Sequence, residues 1–187
     1  MPFVPCGLVK QILFLLLMPL CMQAQGQWLK LGYRAESLSR PGLALAIENP
    51  IRTSFKSWQS FVGFGLNYYL HRHNHQAVLF GPQLGLRYTH PSGIFGDLRL
   101  DLNLYRSFYA GTTYAATSDG VFKKIPLAGQ WGFAPGIQLS GGYDFRQHYQ
   151  KPYRISTGLS YYQQWPYSSS YRHGYALDLT LHYLLQP

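Results

Sequence analysis

Three histidines at alternate positions, His71, His73 and His75 in the segment HRHNHQ, are the residues of this chain best spaced to hold a metal ion. Side chains two apart in an extended segment project to one side, so the three imidazoles could close on one cation. No carboxylate lies near them in sequence, and a solvated loop accounts for the same letters. His90 and Ser92 form a second constellation, a base beside a hydroxyl. Serine chemistry needs the hydroxyl within hydrogen-bond reach of its base and an acid that orients the base. Here the pair flanks Pro91 in the turn-forming segment His90-Pro91-Ser92-Gly93, and no Glu follows it in the chain. Ser118, Asp119 and His173 could supply an acyl-transfer set, but polar loops contain such residues by default. Asp97 and Asp101 offer two carboxylates for acid-base work, yet Arg99 between them makes a structural ion-pair network the stronger reading. Arg106, Lys123, Lys124 and Arg172 are cations of the kind that bind phosphate.

The elements that must position these groups are strands. Gly96 to Arg106 reads GDLRLDLNLYR, so an extended chain sets Leu98, Leu100, Leu102 and Leu104 on one face and Asp97, Arg99, Asp101 and Asn103 on the other. A helix would scatter those leucines around its circumference. The same alternation runs through Trp28 to Arg34, Leu43 to Ile47, Ser60 to Leu70, Phe80 to Tyr88, Gln130 to Phe145, Ile155 to Tyr161 and Tyr175 to Tyr183. That makes about eight strands. Arg40-Pro41-Gly42 reads as a turn, Asn49-Pro50 as the break that ends strand two, and His71 to Gln76 as a polar break. Residues 107 to 124 read as the longest loop, 146 to 152 as a turn and 165 to 174 as a Tyr/Ser-rich loop. Short turns and no crossover helices imply antiparallel neighbours, and eight such strands close most simply into an up-and-down barrel.

Residues 1 to 24 read as a cleavable secretory signal: Lys10, an apolar run from Ile12 to Leu20, then a short polar stretch to Ala24. The run is too short to span a bilayer as a helix, which takes about 20 residues. The remaining residues, 25 to 187, form one barrel domain. Cys6 and Cys21 leave with the signal, which excludes disulfides and thiolate sites from the mature chain. Lys10 is the only ionisable side chain lost from a formal charge of +9, so the mature chain stays basic. For a secreted chain that points to anionic lipid instead of nucleic acid. No cofactor is expected.

Alternation alone does not say which face meets which solvent; the chemistry of the polar face does. A water-facing surface carries about 25 to 35% charged residues, whereas the whole chain has 12%. The polar faces hold Gly, Ser, Gln, Asn and Tyr, and glycines such as Gly63, Gly65, Gly81 and Gly85 suit a crowded interior. Asp97, Asp101, Asp144, Asp178 and Glu48 are available to Arg34, Arg87, Arg99 and Arg154, and inside a narrow barrel each needs a partner. Tyr68, Tyr88, Tyr161 and Tyr183 near strand ends match the aromatics of membrane interfaces.

On these features the chain resembles the small eight-stranded outer-membrane barrels of Gram-negative bacteria, the OmpX, OmpW and OmpA transmembrane-domain class. The resemblance implies a bacterial outer-membrane location and a packed polar interior without an open pore. It also implies contact with outer-membrane lipids and lipopolysaccharide, and delivery by the barrel-insertion machinery. Such barrels usually end on an aromatic residue read by that machinery; here Tyr183, four residues before the end, takes the part. With both ends in the periplasm, residues 36 to 41, 71 to 76, 107 to 124 and 165 to 173 face outward, placing Arg106, Lys123, Lys124 and Arg172 near lipopolysaccharide phosphates. A non-enzymatic role, with the outward loops open to a partner protein, is the favoured expectation. The His90/Ser92 pair resembles that of the lipid A deacylases, and a palmitoyltransferase-like site would use Ser118, Asp119 and His173. A lipid-modifying enzyme is therefore the first alternative, and a soluble lipocalin-like carrier, with the faces exchanged, is the second.

Overall fold

A computed structural model describes residues 26–36, 41–51, 57–71, 75–111, 113–116, 120–167 and 170–185. The expected signal peptide and its cleavage site lie outside them, as do His73, Ser118 and Asp119.

Eight strands form the wall: β1 (Trp28–Ala35), β2 (Pro41–Ile51), β3 (Trp58–His71), β4 (His75–Thr89), β5 (Ile94–Tyr109), β8 (Trp131–Asp144), β9 (Tyr153–Tyr167) and β10 (Ser170–Leu184). Each pairs antiparallel with its neighbours, and β1 pairs β10 to close the barrel in the order β1-β10-β9-β8-β5-β4-β3-β2. The short β6 (Thr113–Ala116) and β7 (Phe122–Ile125), between β5 and β8, make a separate two-stranded ribbon. Closure removes the free edges that an open eight-stranded sheet would leave. No helix is long and apolar enough to cross a membrane among the described residues.

The strands outrun several boundaries expected from sequence. β5 continues to Tyr109, and the expected loop over 107 to 124 contains the ribbon, with Gly111 and Gly120 taking the positive φ angles (97° and 75°) that let the chain reverse. The expected loop at 165 to 174 is mostly strand, since β9 reaches Tyr167 and β10 starts at Ser170, with a register shift between Ser170 and Arg172. Asn49-Pro50 does not end β2; Pro50 pairs with Phe61 near the strand terminus, where a missing N–H donor disturbs least. Pro41 opens β2 opposite Ala35, with Arg40 outside the described residues, and the turn at 146 to 152 contains one helical turn, α1 (Arg146–Tyr149). Tyr, Thr and Trp are good strand formers on a pleated surface. Their polarity shows that the strands run beyond the apolar layer, not that they have stopped.

A membrane crossing takes about 9 to 11 strand residues. β5 has 16 and β9 and β10 have 15, so the wall extends well past a bilayer. The ribbon marks one end of the barrel, the hairpin end, and the 90–93 turn and α1 mark the other, the floor.

Candidate functional site: the polar lumen and the hairpin-end rim

The cross-strand register sets the lumen's chemistry. Arg87 stands directly opposite Asp97, Asp144 opposite Arg154, and Arg34 opposite Asp178. Opposed positions point to the same face of the sheet, and all six side chains are buried inside the barrel. Arg87 donates from Nε and Nη2 to the two Asp97 carboxylate oxygens, at 2.6 Å each, and Nη2 also reaches Glu48 Oε2 at 3.3 Å. Lys30 Nζ donates to Glu48 Oε1 at 2.9 Å. Toward the floor, Asp144 accepts from Arg154 Nε at 2.7 Å and from Arg146 Nη2 at 3.1 Å, and both guanidinium groups lie over the Trp28 ring. In mid-lumen Arg99 and Asp101 are 2.8 Å apart, while Asp178 accepts from Gln138 Nε2 at 2.8 Å and from Ser160 Oγ.

Charge balances within this column. Lys30, Arg34, Arg87, Arg99 and Arg154 face Glu48, Asp97, Asp101, Asp144 and Asp178, all of them buried. A bare buried charge would cost several kcal/mol, so matching of this kind is what a narrow interior requires. Glycines make room for it: a Cβ on Gly85 would overlap the Phe61 ring, and one on Gly65 would overlap the Gln83 amide. A mid-lumen cavity lined by Lys30, Asn67, Gln83, Arg99 and Gln138 has only about 10 Å³, room for one water at most.

Toward the hairpin end the packing changes from ion pairs to hydrogen-bonded rings. Gln164 Nε2 donates to Tyr69 Oη at 2.9 Å, and Tyr69 Oη lies 3.2 Å from His75 Nε2. Arg172 reaches over them, donating to Gln164 Oε1 at 3.4 Å and to Glu36 Oε2 at 2.9 Å. Tyr105 Oη and Gln130 Nε2 both donate to the Pro166 carbonyl beside this group.

The outer face is hydrocarbon. Leu98, Leu100 and Leu102 are 48%, 45% and 36% exposed while Asp97 and Asp101 are buried, the reverse of what a soluble carrier of the lipocalin kind would show. Exposed aromatics border this belt at both ends: Tyr33, Tyr68, Trp131, Trp165 and Tyr175 near the hairpin end, Trp58, Tyr88 and Tyr183 near the floor. Two aromatic girdles flanking an apolar band are the mark of a bilayer-spanning barrel.

The sequence matches no protein-family model and no curated protein. Among solved structures, the N-terminal β-barrel domain of Pseudomonas aeruginosa OprF is similar, with a TM-score of 0.52 and 10% identity over 87% of this chain and 98% of that one. Ail, the attachment invasion locus protein of Yersinia pestis, gives 0.50 and 7% over 86% and 99%. This is the fold of the small bacterial outer-membrane barrels. The belt and girdles of this outer-membrane barrel supply the physical reason for that location: only acyl chains solvate such a surface well.

Within the outer-membrane barrel the candidate residues separate. Asp97, Arg99, Asp101, Arg87, Asp144 and Asp178 all lie in the lumen column. Glu48 proves its hub, bonded to both Lys30 and Arg87. Lys30 lies on β1, which pairs directly with β2, while the approach of Arg87 and His182 to Glu48 depends on the curvature that brings β2, β4 and β10 together. His182 adds an arrangement that sequence reasoning missed. Its Nε2 lies 2.9 Å from Ser156 Oγ and its Nδ1 lies 3.9 Å from Glu48 Oε2, the order of a hydroxyl, base and acid. Ser156, His182 and Glu48 are all buried, Glu48 is engaged by two cations, and Phe95 stacks edge-on against the imidazole.

The histidine series is not an extended loop: His71 and His75 are strand residues paired across the β3–β4 connection, and His75 is buried against Tyr69. Among the described residues no group of three or more His, Cys, Asp or Glu could hold a metal. His90 Nδ1 does lie 2.8 Å from Ser92 Oγ, in the exposed turn at the floor, but Ser92 N–H also donates to that nitrogen, which is a turn-closing role. His173 faces outward, with Nδ1 2.7 Å from Tyr161 Oη. Of the four rim cations, Lys123 and Lys124 are exposed on the ribbon, Arg106 lies on the outer wall, and Arg172 is drawn into the mouth of the lumen by Glu36. Arg172 therefore does not join the other three on the outer surface.

Proposed function

We propose that this outer-membrane barrel is a non-enzymatic, non-conducting anchor that turns its hairpin end outward and contacts lipopolysaccharide there through Arg106, Lys123 and Lys124. The observation that carries the reading is the lumen, where among the described residues five buried cations face five buried carboxylates and the mid-lumen cavity beside them has room for one water at most. What is left to interact is the outer surface, where Arg106, Lys123 and Lys124 lie toward the hairpin end and Lys151 is exposed at the floor. Against the enzymatic reading, Ser156 is closed off from water and lipid, and His90 and Ser92 sit at the floor without a described acid. Tyr183, on the outer face of the last strand, is the residue offered to the insertion machinery.

Two measurements test this. In planar bilayers the purified barrel is expected to add no stepwise conductance; reproducible single-channel steps would overturn the sealed-lumen reading. Incubated with lipid A and followed by mass spectrometry, it should leave the acyl chains unchanged. Acyl loss or gain that disappears in Ser92→Ala or Ser156→Ala would make the protein an enzyme.

A further inference from the structure

Among the described residues, Arg106 is the one charged side chain on the outward face of the eight wall strands; the others turn into the lumen or its mouth. Its neighbour Tyr105 is buried in the lumen, and its register partners Val78 and Trp131 face outward with it. The guanidinium carbon lies 5.3 Å from the Trp131 ring centroid and 5.4 Å from that of Phe108, and Nη2 donates to the Leu127 carbonyl at 3.0 Å. Trp131 is itself braced edge-on by Phe80. The planar fork is thus fixed in orientation by two rings and one hydrogen bond, with its other N–H groups unpartnered among the described residues.

We infer that Arg106 is the binding site for a phosphate on an outward-leaflet lipid, held between Trp131 and Phe108. The inference rests on the reading that the hairpin end faces outward. A cation on a lipid-facing wall has no bulk water on one side, and an anion carried on an apolar body matches both halves of its surroundings. Guanidinium forks pair with phosphate oxygens bidentately, which an ammonium does not do. Val78 lies beside Arg106 and Phe80 and Leu104 directly below it on the wall, apolar surface against which the ligand's acyl chains can lie. Lys124 and Lys123, exposed on the ribbon three and four residues before Leu127, add positive charge at the same end of the barrel. Phosphorylated lipid A has this chemistry.

The test uses the full chain folded in detergent, with bisphosphorylated lipid A, its dephosphorylated form and inorganic phosphate as probes. The wild type should bind the phosphorylated lipid about tenfold or more tightly than the dephosphorylated one. Arg106→Gln should remove most of that preference without changing affinity for the dephosphorylated lipid, and Arg106→Lys should restore only part of it. Lys123→Gln/Lys124→Gln should weaken binding less, and excess inorganic phosphate should not compete. Wild-type affinity in Arg106→Gln, equal losses for both lipids, or displacement by inorganic phosphate would each overturn the site. Loss in the lysine variant with none in Arg106→Gln would refute the site but leave the lipopolysaccharide contact standing; a wild type blind to phosphorylation would refute both. Heat-modifiable gel migration checks folding, and if Arg106→Gln does not fold, Arg106→Lys carries the comparison.

Discussion

Arg87 and Arg106 lie on neighbouring strands of one sheet and meet opposite fates. Arg87 points into the lumen, where Asp97 takes two of its hydrogen bonds and Glu48 a third. Phe61 and Phe95 cover its guanidinium, and it is among the most buried side chains of the protein. Arg106 points outward, also between two aromatic rings, but its hydrogen bonding within the described residues stops at one carbonyl. The same functional group is thus consumed by the fold in one place and left available in the other. A buried charge must be matched before the chain can fold, whereas a charge at a membrane interface can wait for its partner.

The largest effect is expected from breaking the lumen side of this comparison. Asp97→Asn leaves the buried Arg87 with Glu48, at 3.3 Å, as its remaining carboxylate partner, and removing one charge of a buried pair typically costs about 3 to 5 kcal/mol. Urea unfolding in lipid vesicles measures it. Replacing both members, Arg87→Met/Asp97→Met, should recover most of the loss, because no charge is then stranded. If the double variant is as unstable as the single one, packing and not charge matching holds this part of the lumen.

Next in size is an arginine placed where the wall has none. Leu100 lies in the lipid-facing belt and is 45% exposed. Leu100→Arg should lower stability by about 2 to 4 kcal/mol, the cost of a cation near the bilayer midplane. A much smaller loss would place Leu100 near an interface and shift the assigned belt. Smaller again is Gly85→Ala, whose Cβ would meet the Phe61 ring beside Arg87. The ring can move only by disturbing the cation it covers, so about 1 to 3 kcal/mol is expected for overpacking. A neutral result would show that the lumen has slack at this level.

How far the sequence could carry this picture depends on the range of the interaction. Alternation placed nearly every wall residue on its correct face, because period two is a property of each strand alone. The Arg87–Asp97 and Asp144–Arg154 pairs were also within reach. Each pair is equidistant from the centre of a hairpin connection, five residues on either side of Ser92 and of Tyr149, so register follows from the turn. The Glu48 hub was legible only in part: Lys30 lies on the paired strand two positions from Glu48's partner Trp28, whereas Arg87 and His182 reach it from strands that do not pair with β2, across a lumen whose diameter no local pattern states. The ribbon and the long ends of β9 and β10 were hidden for another reason. Beyond the bilayer both faces meet water, and the apolar alternation that betrays a strand is no longer required. Arg172 read as one more rim cation because the Glu36 that draws it inward is 136 residues away in the chain.

The smallest expected effect on stability falls on the other arginine. Arg106→Leu removes a cation from the outer wall and one hydrogen bond to Leu127, and substitutes a side chain suited to lipid. The lost bond and the stacking on Trp131 and Phe108 are each worth about 0.5 to 1 kcal/mol at an exposed site, and the gain from an apolar group near the interface is of similar size. The two should cancel to within about 1 kcal/mol in the same urea assay. Near-equal stability combined with lost preference for phosphorylated lipid would mean that Arg106 serves a ligand and not the fold. A loss approaching that of Asp97→Asn would mean the reverse, and would make the two arginines alike after all.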